Sequence, residues 1–504
     1  MEELVRRYLS EHISRRDFVR QLTALGFSVA ASQSLLAQLE PNTPMGQGRG
    51  IIPGRVAWVR DPAAASWDGS TGRWWDDAHT HQAVVDRMIS RTLQALTDQR
   101  TDRQAWDAVF RHFNQTHGFG KEGYRRGEKI AIKLNMNQDQ SNVWGVPGGM
   151  MPGAPPSGAT PPGGAPAGAG RQSGGPPSGA VPAGGAPPGA AREGGAAPQA
   201  PRAPQEPGNG LPSPHVVLAF VTQLIRVAGV PASDIVIYDA CNGRTIGEPI
   251  FSRFKGDKAP ADLRGVSFVT NNDHGLLGRV PVILDDKISI RFSGGKDLPA
   301  AYLPQQVTAA KYLINMAILR PHSLAGITLQ GKNHFGSIHF PKNGGWSPAV
   351  LHSHVSVKNP MGTYNALVDL MGHGHLGGKT LLFMLDGLYA TDYQNGRVFR
   401  FQSLGDAWTS SILMSQDPVA MDSVGFDILK SEPRATRVQG TPDNYLHEAA
   451  QAGSPPSGTV YDPNGAGKPL ASLGVHEHWN DPKDKKYSRN LGKKDGIELI
   501  AELG

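Results

Sequence analysis

A single cysteine, Cys241, stands among 504 residues. That scarcity excludes an intrachain disulfide framework, Cys-rich zinc modules and any iron–sulfur cluster held by four cysteines of this chain. Charged residues make up only 19% of the chain, a deficit matched by 62 Gly and 40 Pro. No Gly-X-Y period runs through these, so collagen is excluded. The net charge of +6 is mild for this length, and the basic residues are scattered without an aromatic–basic surface, so nucleic acid is not expected as a partner. Also missing are a dinucleotide-binding Gly-x-Gly-x-x-Gly, a phosphate-binding P-loop and a Gly-x-Ser-x-Gly elbow in strand–turn–helix context. These absences count against nicotinamide oxidoreductases, nucleotide hydrolases and esterases.

The N-terminus reads as an address. Ser14-Arg15-Arg16-Asp17-Phe18-Val19-Arg20 resembles the twin-arginine export signal, and an apolar stretch follows over residues 22–37. That stretch is shorter and milder than the roughly 20 apolar residues of a membrane span. Residues 1–40 are therefore expected to form a signal peptide. The implied partner is the twin-arginine export machinery, the location is periplasmic or otherwise exported, and membrane attachment would come only through an uncleaved signal.

Beyond the signal, helices alternate with apolar strands, which argues for an α/β fold: a layered, mixed or mostly parallel sheet flanked by helices. Strands are expected at residues 55–60, 127–135, 234–239, 266–270, 280–284, 288–292, 312–318 and 380–385. Helices are expected near residues 81–96 and 102–114. Ser213-Pro214 and Asp417-Pro418 each combine an N-cap with proline at the first helical position, so each should open a further helix. Residues 146–210 differ in kind. Thirty-nine of the fifty residues 151–200 are Gly, Pro or Ala, too few apolar groups to offset the entropy of ordering, so a long disordered insertion is expected. The resulting plan is one discontinuous α/β domain over 51–145 and 211–432, with a C-terminal extension, 433–504, packing on it.

Several segments carry a family resemblance. They are Lys129-Ile130-Ala131-Ile132-Lys133-Leu134-Asn135, the Ser213-Pro214 helix start, the strand ending at Asp239, and Ile327-Thr328-Leu329-Gln330-Gly331-Lys332-Asn333-His334-Phe335-Gly336. Asp386-Gly387 and Asp417-Pro418-Val419-Ala420-Met421-Asp422 complete the set. In this order they resemble the bacterial and archaeal family called domain of unknown function 362. The resemblance implies an α/β fold but transfers no catalytic residues. Some relatives carry a Cys-rich ferredoxin module, for which this chain has no cysteines.

Histidine usage points to chemistry. Eight of the seventeen histidines form His-x-His pairs: His79/His81, His352/His354, His373/His375 and His476/His478. On a strand, residues i and i+2 share a face, so such a pair can offer two imidazoles to one metal ion. The alternation around His352 and His354 favours that pair, with a divalent transition metal, zinc or iron, as the implied cofactor. The run His476-Glu477-His478-Trp479 would close over a cleft or dock the tail. Lys332, Asn333 and His334, with His339 beyond, suit an anionic group, and a lysine in a dry site can act as a base. In open α/β sheets, ligands gather beyond the carboxyl ends of the strands. Lys133, Asn135 and Asn137 close one strand, Asp239 and Asn242 another, and Asp386 a third. Cys241 is an additional nucleophile or ligand candidate, Asp417 reads as a cap, and Asp422 is free to face the cleft.

The expectation is an exported enzyme performing metal-assisted hydrolysis or proton transfer on a small polar or anionic substrate. His352 and His354 would hold the ion, Lys332, Asp386 and Asp239 would act on the substrate, and Lys133, Asn135, Asn333 and His334 would bind it. The alternative is a non-catalytic periplasmic protein that binds a metal or ligand.

Overall fold

A computed structural model describes residues 4, 15–28, 43–137, 208–241, 244, 246–271, 278–340 and 348–504. Nearly all of the expected insertion, and Asn242, lie outside this set. Nine strands form one sheet: β1 (Arg55–Arg60), β2 (Ile130–Lys133), β3 (Ile235–Asp239), β4 (Ser267–Thr270), β5 (Val280–Pro281), β6 (Tyr312–Ile318), β7 (Thr380–Gly387), β8 (Ser411–Ser415) and β9 (Glu498–Leu503). Their spatial order is β9-β1-β8-β7-β6-β2-β3-β4-β5. Only β8 runs against the others. A parallel sheet must be covered on both faces, so its central strands read as unbroken apolar runs. Accordingly, β6 and β7 are buried along their whole length.

One face is covered by the helices Gln82–Thr97, Asp102–Thr116, Pro214–Arg226 and Glu248–Lys255. The other is covered by Ala366–Gly372, Pro418–Lys430 and Asp443–Ala450. The two cap-plus-proline signals act as expected. The Ser213 side chain accepts from Val216 N at 3.4 Å, and Asp417 Oδ1 accepts from the Val419 and Ala420 N–H groups. Asp417 Oδ2 also accepts from Arg49 and Val475, tying both chain ends to this helix start. The C-terminal extension does more than pack: β9 is the edge strand of the main sheet, in parallel register with β1.

Two local expectations change. His352 and His354 lie on a 3-10 helix, Pro348–His354, and not on a strand. The apolar residues behind the strand-like pattern, Leu351 and Val355, are both buried and four apart, a spacing that suits a helical turn as well as an alternating strand. Leu284–Ile290 leaves the main sheet to pair with Ala301–Pro304 in a separate ribbon. The twin-arginine stretch includes a ten-residue helix, Arg15–Ala24. Among the described residues no helix is long and apolar enough to cross a membrane.

Candidate functional site at the strand ends

Strands β7, β6, β2 and β3 are adjacent and parallel, so their carboxyl ends lie side by side. Lys133, the last residue of β2, places Nζ 3.0 Å from Asp239 Oδ2 at the end of β3, and both are buried. Asp239 also accepts from Met136 N and Cys241 N. Lys133 reaches Asn333 Oδ1 at 3.3 Å. Gly336 is the covering residue here: a Cβ on it would stand 2.6 Å from Lys133 Nζ and 2.7 Å from Asp239 Oδ1, so only glycine lets the chain cross this pair.

The segment carrying Lys332 is fixed by polar groups of the sheet and of a helix behind it. Asn315, in the middle of apolar β6, donates to Gln330 O and accepts from Asn333 Nδ2 at 2.7 Å. It also meets His334 Nε2 at 3.1 Å. Asp422 does not face a cleft: its carboxylate accepts from the Gln330 and Gly331 N–H groups, holding the start of the short helix Gln330–Asn333. Burial raises Asp422 to about 7 against the pull of those hydrogen bonds.

Lys332 is buried, and its Nζ sits 3.3 Å from the ring centre of Phe335. Burial lowers it to about 7, despite attraction from Cys241. A lysine so placed titrates near neutrality and can accept a proton. Around it stand other cationic or donor groups. Burial, then the charges of Lys332, Arg320 and His352, drive His322 far below its usual range, and burial with Lys332 lowers His352 to about 4.

Arg320 is the residue that sequence reasoning missed. It is fully buried, and one Nη donates to Asn135 Oδ1, but its Nε and other Nη have no hydrogen-bond partner. Opposite it in the antiparallel ribbon formed by Arg320–His322 and Gly326–Thr328 sits Thr328, whose buried hydroxyl also lacks one. Burial and the nearby Arg244 lower Arg320 to about 9. Arg244 donates to Asn137 Oδ1. A guanidinium fork is built for carboxylate or phosphate oxygens, and orphaned buried donors are costly unless something fills the gap.

The structure therefore brings together Lys133, Asn135, Asp239, Lys332 and Asn333, with His334 braced against β6. It sets Asp386 apart. That carboxylate accepts from Ser213 N at 2.6 Å and Leu388 N at 3.2 Å, on the sheet face covered by the Pro214–Arg226 helix. Burial raises it to about 6. His352 and His354 also diverge: the first stacks on Phe335 and the second meets Tyr364 edge-on. On a 3-10 helix with three residues per turn, i and i+2 do not share a face.

A mostly parallel α/β domain with a polar, cationic cluster beyond its strand ends defines the class of the molecule. Residues 205–427 match the family described as Domain of unknown function (DUF362), which assigns that part of the chain to the family. The matched span includes Asp239, Arg320, Lys332 and Asp386 but not Lys133. No curated protein matches the chain.

Proposed function

We propose that the strand-end cluster binds the anionic group of a small substrate, a carboxylate or phosphate, and that Lys332 moves a proton on the bound molecule. The observation that carries this reading is Arg320, a buried guanidinium with two unpartnered donor nitrogens, whose cross-strand neighbour Thr328 has an unpartnered hydroxyl. An anion there would satisfy all three. Lys332, near neutrality, is poised to take a proton from a group beside that anion, and Asp239 with Lys133 fixes the floor of the site. Zinc- or iron-assisted chemistry at His352 and His354 is the less supported form of this function, because the two rings point to different neighbours.

Titration calorimetry with inorganic phosphate and with small carboxylates tests the binding step. The wild-type chain is expected to bind at least one class. Arg320→Met should weaken that binding about 10- to 100-fold, the range for losing hydrogen bonds from a charged donor. Arg320→Met removes a buried charge but leaves Asn135 Oδ1 without its donor, a cost of about 1–3 kcal/mol, so a melting curve of the variant accompanies the titration. Exchange of solvent deuterium into the bound acid tests the chemical step, which Lys332→Met should abolish while leaving binding. Absence of any anion binding would sink the proposal. Export rests on residues 14–37 and is proposed alongside; a fusion of residues 1–40 to a folded reporter tests it.

A further inference from the structure

A second cluster lies away from the strand ends, where the C-terminal segment meets the helices Pro418–Lys430 and Asp443–Ala450. Asp443, His476 and His478 each aim one ligand atom at a common space, all within 4.8 Å of one another. Among the described residues no other grouping of three or more His, Cys, Asp or Glu side chains does so. His447, one helical turn beyond Asp443, puts its ring 5.0 Å from that of His476.

The hydrogen bonds behind these rings decide which nitrogen each offers. Ser423 Oγ donates to Val419 O at 2.7 Å, so at its 2.8 Å contact with His476 Nδ1 it accepts. His476 therefore carries its proton on Nδ1 and keeps a lone pair on Nε2. His478 Nδ1 donates to Asp427 Oδ1 at 2.6 Å. Asp427 is itself locked, its other oxygen accepting from Trp479 N and Tyr487 Oη. This is the carboxylate–histidine arrangement that orients metal ligands from behind. His478 Nε2 then lies 3.0 Å from Asp443 Oδ1, yet that buried oxygen makes no hydrogen bond. The two atoms are close but not aimed at each other. Ligands of a tetrahedral zinc site, each about 2.0–2.1 Å from the metal, come to a similar mutual separation.

We propose that Asp443, His476 and His478 bind one divalent transition-metal ion, zinc by the character of the donors, with His447 the nearest group for the fourth position. Two imidazoles, a carboxylate and a further imidazole form a nitrogen–oxygen set that suits zinc. The ion would tie the C-terminal segment, which continues to edge strand β9, to the helix Asp443–Ala450, which carries Asp443 and His447. Its role is structural and independent of the anion reading. The competing occupant is a proton on His478. Burial works against that charge, but the hydrogen bond to Asp427 and the nearby carboxylate of Asp443 outweigh it and raise His478 to about 10.

The test is metal content by mass spectrometry on full-length protein prepared without chelator or polyhistidine tag. About one zinc per chain is expected, retained in His352→Ala/His354→Ala and lost in Asp443→Asn and in His478→Gln. Chelator should lower the melting temperature of the wild type and leave those two variants unmoved. If the variants do not fold, calorimetry of zinc into chelator-stripped wild type reads the same site: one equivalent, with proton release, supports the proposal. Folded wild type that holds no metal and takes up no zinc overturns it and assigns the space to the proton on His478. Phosphate titration of the same samples reads the strand-end site separately.

Discussion

Lys133 Nζ and Asp239 Oδ2 are 3.0 Å apart at the ends of neighbouring parallel strands, with 1% and 4% of their side-chain surfaces exposed. Burial alone pushes the Lys133 ammonium toward losing its proton, and Asp239 opposes that. Breaking such a pair is costly because the surviving partner is left buried, on the order of 3–5 kcal/mol. Asp239→Ala should therefore lose about that much stability in urea denaturation. Lys133→Met/Asp239→Ala should lose clearly less than the sum of its two single variants. Simple additivity would show that the pair is not coupled as its geometry requires.

The second prediction concerns Lys332 and the pH dependence of stability. Its folded value is about 7, against 10.5 for an ordinary lysine, because burial penalises its charge. Between these values the unfolded chain holds a proton that the folded chain does not, so stability rises with pH across that window. The slope from this one group reaches about 1.4 kcal/mol per pH unit. Lys332→Met carries no such contribution. The variant's stability relative to wild type should be greatest at and below about pH 7 and should fall as pH rises toward about 10. Urea midpoints of both proteins across that range provide the check; a constant difference would place Lys332 in contact with water.

Much of this architecture was legible in the chain because its signals are local. The apolar runs of β6 and β7 need no partner to be recognised, and Ser213-Pro214 and Asp417-Pro418 each mark a helix start within a few residues. Lys133 and Asp239 could be placed together because parallel neighbours must end side by side. Arg320 gave no such signal: its importance is that two nitrogens find no partner, a fact of tertiary packing. The same holds for Asp422, which satisfies the backbone of another segment, and for β9, whose partner β1 lies at the opposite end of the chain. The His352 region misled because two buried residues four apart satisfy both a strand and a helical turn.

Asp386 provides the last prediction, because its strand-end position suggests catalysis whereas its contacts describe a brace. Its two oxygens accept from Ser213 N and Leu388 N, fixing the start of the Pro214–Arg226 helix against the end of β7. An asparagine can accept only one of these bonds and turns an N–H group toward the other donor. The expected loss in Asp386→Asn is about 1–3 kcal/mol, the cost of leaving a buried donor unsatisfied. Phosphate or carboxylate affinity should stay within about twofold of wild type, since Asp386 faces the side of the sheet covered by the Pro214–Arg226 helix and Arg320 supplies the orphaned donors. Denaturation and calorimetry on the same sample separate the two roles. Unchanged stability with lost turnover would return Asp386 to the reacting group and place the helix start under other control.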